Sequence, residues 1–298
     1  MARTLGVRSR SNRTQSGTLR LKEQAHPTWV IAHLILFAYF LSVVGPMLWT
    51  LLNSFKTSPE IFSSPWSLPA DWNFDNYITA WTKMNAGTYL LNSVVVSVLT
   101  LALVMSIGSM AAYVLARYQF RGNRVLYFAF IAGLMIPGFL MYIPAWFLHD
   151  ALGLLDTTQG LIIQYTAFSL SFTIFFLYGF FKTLPKELEE QGLVDGLTPF
   201  GVFFRIMLPL SKSGLLTVTV FNFLSVWNEF TWALISIYSE SKKTIPLGTV
   251  NIIQQARFET DWGAMFAGFM LIALPTLVVY AIFQSRLTEG ITVGAVKG

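Results

Sequence analysis

The sequence predicts an all-α integral membrane protein: six transmembrane helices, with a polar helical hairpin between spans four and five. Three observations carry this expectation. Hydrophobic residues make up 54% of the 298 positions and charged residues only 12%, more apolar surface than one soluble domain can cover. Six apolar stretches of roughly 20 residues or more succeed one another, each long enough at about 1.5 Å per residue to cross a ~30 Å hydrocarbon core. One segment, KELEEQGLVDGLTPFGVFFRIMLP from Lys186 to Pro209, then interrupts the apolar runs with four carboxylates, an Asp-Gly and a Thr-Pro.

Residues 1–27 form a basic head, expected to be flexible. The first span, 28–51, follows it and lacks a small-x-small pattern at its end, so it reads as an uncleaved span rather than a secretory signal. The second and third spans, 89–116 and 125–148, are joined by YQFRGNR, Tyr118 to Arg124, a short basic loop suited to anchoring at lipid headgroups. The fourth, fifth and sixth fall at 158–181, 215–238 and 263–284. In the sixth, Gly263, Ala264, Ala267 and Gly268 form small-xxx-small pairs that let helices approach closely. A short tail, 287–298, closes the chain.

Orientation follows from the basic residues. With the amino terminus inside, 15 of the 20 Lys and Arg fall in the head, the second-to-third loop, the hairpin region and the tail. Lys56, Lys83, Lys242, Lys243 and Arg257 fall outside. That bias puts both termini in the cytoplasm, and the hairpin with them.

The hairpin has the grammar of two short helices. Pro185 can open the first, and Glu187, Glu189 and Glu190 sit where the helix dipole favours anions. Gly196 can close it in a left-handed conformation. Thr198 reads as an N-cap with Pro199 at the first position of the second helix, which Pro209 ends. Leu193, Leu197, Phe200, Phe203 or Phe204, and Met207 recur at helical spacing, an apolar face in need of a partner.

Several function classes are excluded. There is no Cys, hence no disulfide framework or thiolate metal site, and His26, His33 and His149 lie too far apart in sequence for ligand spacing. No G-x4-G-K-[ST] loop occurs, so the chain has no Walker cradle for nucleotide phosphates. The basic residues are spread over loops rather than gathered on one face, which gives no basis for nucleic-acid binding. Asp150 and Asp156, the nearest candidates for a membrane-embedded catalytic cluster, have no acid/base companions.

Glu190, Gly196, Ile206, Leu208 and Pro209 stand at the spacing of the EAA signature, EAA-x3-G-x9-I-x-LP. In this the chain resembles the inner-membrane permease subunits of ABC importers. NFDNYITAW (73–81), YLLNSVVVS (89–97), VWNEFTWAL (226–234) and the tail GITVGAVKG (290–298) are similar to the carbohydrate permeases of the maltose-transporter type, in particular their second subunit. The resemblance covers residues 28–298. Gln191 and Gly192 depart from it, standing where the signature has two alanines, and Leu197 replaces the usual small residue after Asp-Gly.

The resemblance implies that the hairpin is a coupling helix docked into a groove of a separate ATPase. Glu190 would pair with a basic residue there, Gly196 would supply the turn, and Leu197 and Phe200 would fill the groove, with Asp195, Ile206, Leu208 and Pro209 completing the ATPase-coupling set. The tail would contact the ATPase through Gly294, Val296 and Lys297. The implied partners are a second, homologous permease subunit, a cytoplasmic ABC ATPase dimer and an extracytoplasmic sugar-binding protein, in the cell membrane of a prokaryote and in contact with lipid. The chain itself would bind no cofactor; ATP and Mg would be used by the ATPase. The expected function is import of a sugar or oligosaccharide by a transport subunit that is not an enzyme.

Glu229 lies about nine residues inside the fifth span, roughly 14 Å deep at helical rise, where an unpaired charge is costly. It would be either a group satisfied by Asn222, Asn228 or a neighbouring helix, or part of a substrate path with Asn222, Trp227 and Asn228, whose amides and aromatic plane suit hydroxyl-rich sugars. The alternative function is an ion-coupled secondary transporter using Glu229, which would be expected to show inverted repeats or matching broken segments.

Overall fold

The computed structural model describes the backbone of residues 27–295 and the side chains of residues 29–282. The basic head up to residue 26 lies outside the described residues. The chain divides into two units, 1–48 and 49–298. In the first, α1 (Pro27–Asn53, its last residues belonging to the second unit) is an apolar helix whose side chains from Trp29 to Val43 are exposed, as a lipid-facing span requires.

In the second unit, two short helices, α2 (Ser58–Ser63) and α3 (Asp75–Thr82), precede α4 (Ala86–Arg117). Then come α5 (Asn123–Met135), α6 (Gly138–Ala151) and α7 (Thr158–Thr183). The hairpin consists of α8 (Glu187–Val194), α9 (Pro199–Val202), a π-helical turn at Phe203–Met207 and α10 (Leu208–Leu210). It is followed by α11 (Lys212–Trp227), α12 (Thr231–Ser236), a single 3₁₀ turn at Glu240–Lys242, α13 (Ile245–Glu259) and α14 (Trp262–Ala295). No strand occurs among the described residues.

Four helices are long and apolar enough to cross a membrane: α1 from Trp29, α4, α7, and α14 as far as Ile282. Two further segments are bent pairs, α5 with α6 at 106° and the Pro199–Leu210 helix with α11 at 76°, which give up to six crossings if each pair makes one.

The first bend, and a break in the fifth stretch, depart from the spans drawn from sequence. The stretch read as one span over 125–148 is two helices because Pro137 disfavours the helical conformation at Ile136, which is extended (φ −82°, ψ 120°), and offers no N–H to the turn before it. The stretch read over 215–238 stops at Trp227 and restarts at Thr231. Between spans five and six stands a further helix, α13, that the six apolar stretches do not include. There Thr244 precedes Pro246 in the first turn, and Ile245, Gly248, Ile252 and Ala256 form a buried stripe, while Leu247 packs in a different cluster.

The centre of the unit is the pairing of α4 with α7. Gly108 makes it close: a Cβ there would lie 2.6 Å from Cγ2 of Thr173 on α7. At one end of this pair Ala112, Tyr113 and Leu115 pack with Ile174, Leu177 and Phe181 and with Val202, Phe203 and Met207 of the hairpin. Towards the start of α4, Met84, Ala86 and Tyr89 pack with Trp227, with Ile245, Ile252 and Ala256 of α13, and with Ala264 and Met265 of α14.

Candidate functional site

The hairpin is built by its own sequence. Glu187, Glu189 and Glu190 occupy the first turn of α8, against the positive end of its dipole. Gly196 adopts φ +83°, its N–H donates to the carbonyl of Leu193 (3.1 Å), and the N–H of Leu197 reaches back to Gly192 (3.0 Å). This pair of bonds around a left-handed residue is a Schellman motif, which turns the chain sharply. Thr198 then caps α9, its Oγ1 accepting from the Gly201 N–H at 3.2 Å, and Pro199 occupies the first helical position.

Pro209 does not end the second helix, as the sequence suggested. The helix runs on to Leu210, and the turn before Pro209 widens into the π-helix at Phe203–Met207, an accommodation for a residue with no N–H and a ring that crowds the preceding turn. The end comes at Ser211, whose N–H and Oγ both donate to the carbonyl of Met207, at 3.0 and 2.8 Å.

The apolar residues of the hairpin divide into two sets. Val202, Phe203 and Met207 are buried against α4, α7 and α11, with Leu197, Ile206 and Leu208 partly buried beside them. Leu193, Val194, Phe200 and Phe204 are exposed, Val194 at 86% and Phe200 at 71%. Glu190 and Asp195 are exposed, and with Glu187, Gln191 and Val194 they line a shallow open depression, whereas Phe200 lines a separate apolar recess with Tyr118 and Phe120. Gly192 is buried where the two arms cross. A Cβ there would stand 2.6 Å from Cδ1 of Ile206 and 3.2 Å from Cγ2 of Val202, so glycine fits this close crossing of α8 over the second arm.

One residue of this region was read from sequence only as a topological charge. Arg117, the last residue of α4, has a side chain 4% exposed. Its Nη1 donates to the carbonyls of Leu184 (3.0 Å) and Phe181 (3.3 Å), its Nη2 to that of Pro185 (3.1 Å), and its Nε to the carboxylate of Glu189.

The residues expected along a substrate path are held by separate partners. Asn222 is buried and donates to Oγ1 of Thr173 at 2.7 Å. Trp227 is buried and stacks on Phe223 at 5.2 Å between ring centres. Asn228 is exposed and its Nδ2 donates to the carbonyl of Leu224 at 2.8 Å. Glu229 sits in the break between α11 and α12: it accepts from the hydroxyl of Tyr165 (2.7 Å) and from the N–H groups of Trp232 (2.8 Å) and Ala233 (3.2 Å). Two otherwise orphaned donors of the first turn of α12 are thereby satisfied by a charge at the favourable end of its dipole. Tyr165 lies 64 residues away in sequence, and nothing local announced it.

Near the start of α4 the loop after α12 is tied down by charge. Asp156 accepts from the N–H groups of Tyr238 (3.0 Å) and Ser239 (2.9 Å), from the hydroxyl of Ser239 and from Lys242 (3.2 Å). Burial pushes its carboxyl up, but the hydroxyl and N–H of Ser239, the N–H of Tyr238 and Lys242 outweigh that and leave it well below the usual carboxylate range. Glu240 pairs with Lys243 (2.6 Å) and accepts from Tyr89 and Asn251. Burial raises it and these partners lower it, again with a net fall. The tail stays helical to Ala295, through Gly290 and Gly294; Val296 and Lys297 lie outside the described residues.

Comparison with known proteins bears on the whole chain. The family described as "Binding-protein-dependent transport system inner membrane component" matches residues 104–291, which include the complete hairpin. A diacetylchitobiose uptake system permease protein of Streptomyces coelicolor is 43% identical over 267 residues, 90% of this chain and 88% of the relative. A probable ABC transporter permease protein of Bacillus subtilis is 35% identical over 284 residues, 94% of each. The trehalose transport system permease protein of Mycobacterium tuberculosis is 32% identical over 270 residues, 91% of this chain and 97% of the relative. A solved chain from a bacterial ABC transporter involved in the import of the polysaccharide alginate superposes with a TM-score of 0.74 over 86% of this chain and 95% of its own length, a likeness of fold at 21% identity. With its matched hairpin and its apolar helices, this multi-pass chain belongs to the binding-protein-dependent transport system inner membrane component family, the permease subunits of ABC transporters.

Proposed function

We propose that the chain is one of two unlike permease subunits of an ATP-driven importer for a sugar or oligosaccharide, and that residues 187–210 dock it to a cytoplasmic ATPase dimer. The observation that carries this is the two-sided hairpin. One set of its apolar residues is locked to α4, α7 and α11, while Leu193, Val194, Phe200 and Phe204 are exposed, Val194 in an open depression with Glu187, Glu190 and Asp195. An exposed apolar patch rimmed by charge marks a protein interaction surface, and the acidic rim suits a basic groove. The sugar class is supported by relatives named for diacetylchitobiose and trehalose. A soluble sugar-binding partner is supported by the binding-protein dependence in the family's own description.

The distribution of Lys and Arg supports cytoplasmic termini and hairpin. ATP and Mg belong to the ATPase, and Gly294, Val296 and Lys297 extend the contact with it. Of the four path residues, Asn228 is the one with an exposed side chain and is carried forward as a sugar contact. Ion coupling through Glu229 is disfavoured because that carboxylate is engaged in capping α12.

The test is a mild-detergent purification of the tagged chain, wild type beside Phe200→Arg, with the recovered complex assayed for ATP-dependent uptake of labelled di-N-acetylchitobiose and trehalose. Recovery of a second permease and an ATPase, with the ATPase lost in the variant, is expected. A chain that purifies alone and drives uptake sensitive to a protonophore at undiminished ATP overturns the proposal.

A further inference from the structure

We propose that Arg117 is a positioning residue that joins the hairpin rigidly to the spans, so that displacement of α8 reaches α4 and α7 without slack. This rests on the reading of residues 187–210 as the ATPase-docking element.

Three elements end or begin at this one guanidinium. It is the last residue of α4, it binds carbonyls at and just past the end of α7, and it binds a carboxylate in the first turn of α8. The carbonyls at a helix C-terminus have no donor within the helix and carry the negative end of its dipole. Phe181, Leu184 and Glu189 therefore present negative potential at the same point, and a planar fork of five N–H donors can meet all of it at once. With the side chain 4% exposed, little water competes for these bonds.

Among the described residues, the bond to Glu189 is the one side-chain hydrogen bond between α8 and a spanning helix. Gly192, by contrast, packs on Ile206 and Val202 of the hairpin itself. Glu189 and Glu190 thus divide their work: the first turns inward to Arg117, and the second is exposed. Beneath Arg117, Tyr113 packs on Phe181 and Phe203 at 5.6 and 5.0 Å between ring centres, a second, apolar layer of the same joint. Removing the joint should leave the exposed docking face intact and loosen only its transmission.

The experiment uses the complete importer in proteoliposomes and reads ATPase recovery, basal ATP hydrolysis and sugar moved per ATP. Lysine cannot reproduce the fork, so Arg117→Lys should retain the ATPase and basal hydrolysis while sugar per ATP falls by about fivefold or more; Glu189→Gln, which keeps an acceptor, should lose about twofold. Since the chain has no cysteine, Arg117→Cys combined with Glu189→Cys supplies a covalent test. The reduced pair should be uncoupled, and a short thiol cross-linker should recover most of the loss. A role limited to folding or charge would gain nothing from the cross-link.

Normal sugar per ATP in Arg117→Lys, or no recovery on cross-linking, overturns the joint. Phe200→Arg serves as the control on the hairpin itself. If it releases the ATPase while the Arg117 variants stay coupled, the joint fails and the docking reading stands. If Phe200→Arg keeps the ATPase and full coupling, the docking reading fails and the joint falls with it.

Discussion

The turn at Gly196 allows backbone conformation to be separated from docking. Its φ is +83°, yet a Cβ built there meets no atom within 4 Å, so an alanine is opposed by conformation and not by any neighbour in the chain. An L-residue held in the left-handed region costs about 1–2 kcal/mol, which shifts the population of a local equilibrium by a factor of roughly 5–30. Asparagine enters that region more readily than alanine despite its larger side chain. Conformational control therefore gives the order Gly196, then Gly196→Asn, then Gly196→Ala, with Gly196→Val lowest because β-branching makes a positive φ still less tolerable. A clash with the docked ATPase would instead rank the variants by size, with alanine nearest to wild type. The assay is sugar-stimulated ATP hydrolysis and uptake in proteoliposomes, with ATPase co-purification as the measure of docking. Alanine outperforming asparagine would refute the reasoning.

Other outcomes follow from the ties described above. Asp156 has a depressed carboxyl pKa, so the stability it contributes is fully present above its unfolded value of about 4 and is lost as pH falls below it towards the folded value. A wild-type melting temperature that declines below that pH, with a flatter profile in Asp156→Asn, is expected; parallel profiles would count against the tie. Glu229→Ala leaves the hydroxyl of Tyr165 and two N–H groups without their acceptor and should destabilise by about 1–3 kcal/mol. Glu229→Gln retains an acceptor and should transport close to wild type, whereas loss of uptake in a well-folded glutamine variant would point to a role for the charge. At Gly248 a Cβ would lie 2.2 Å from the ring of Tyr89, so Gly248→Ala should displace that ring and destabilise by about 1–3 kcal/mol, read by thermal unfolding in detergent. An unchanged melting temperature would show that the ring moves aside freely.

Much of the hairpin was legible because its determinants are local. Gly196, Thr198 and Pro199 specify a stop and a start within a few residues, and the structure uses each in that role. Pro209 was misread because a widened turn just before it lets the helix absorb a missing N–H. The divisions of the third and fifth spans were hidden by averaging, since hydropathy over some twenty residues is blind to a single Pro137 or to an acid whose bonds run along the backbone. The local signal for α12 is an acidic residue just before TWAL, where Glu229 accepts from two N–H groups of the first turn. The partnerships of Arg117 with Glu189 and of Glu229 with Tyr165 span 72 and 64 residues. No local pattern encodes them; they exist only once α4, α7 and α11 are packed together.

The interruption at residues 228–230 bears on the bilayer itself. From Lys212 the 16 residues of α11 rise about 24 Å, short of a ~30 Å hydrocarbon core, so a path continuing along that axis would leave helical geometry before lipid ends. Non-helical backbone at such depth is tolerated only against protein or water. With the membrane edge at Lys212, the exposed side of Asn228 adjoins a hydrated recess or a neighbouring subunit rather than lipid. A thiol placed at position 228, the only one in the chain, would report which of these holds by whether water-soluble or lipid-borne reagents reach it.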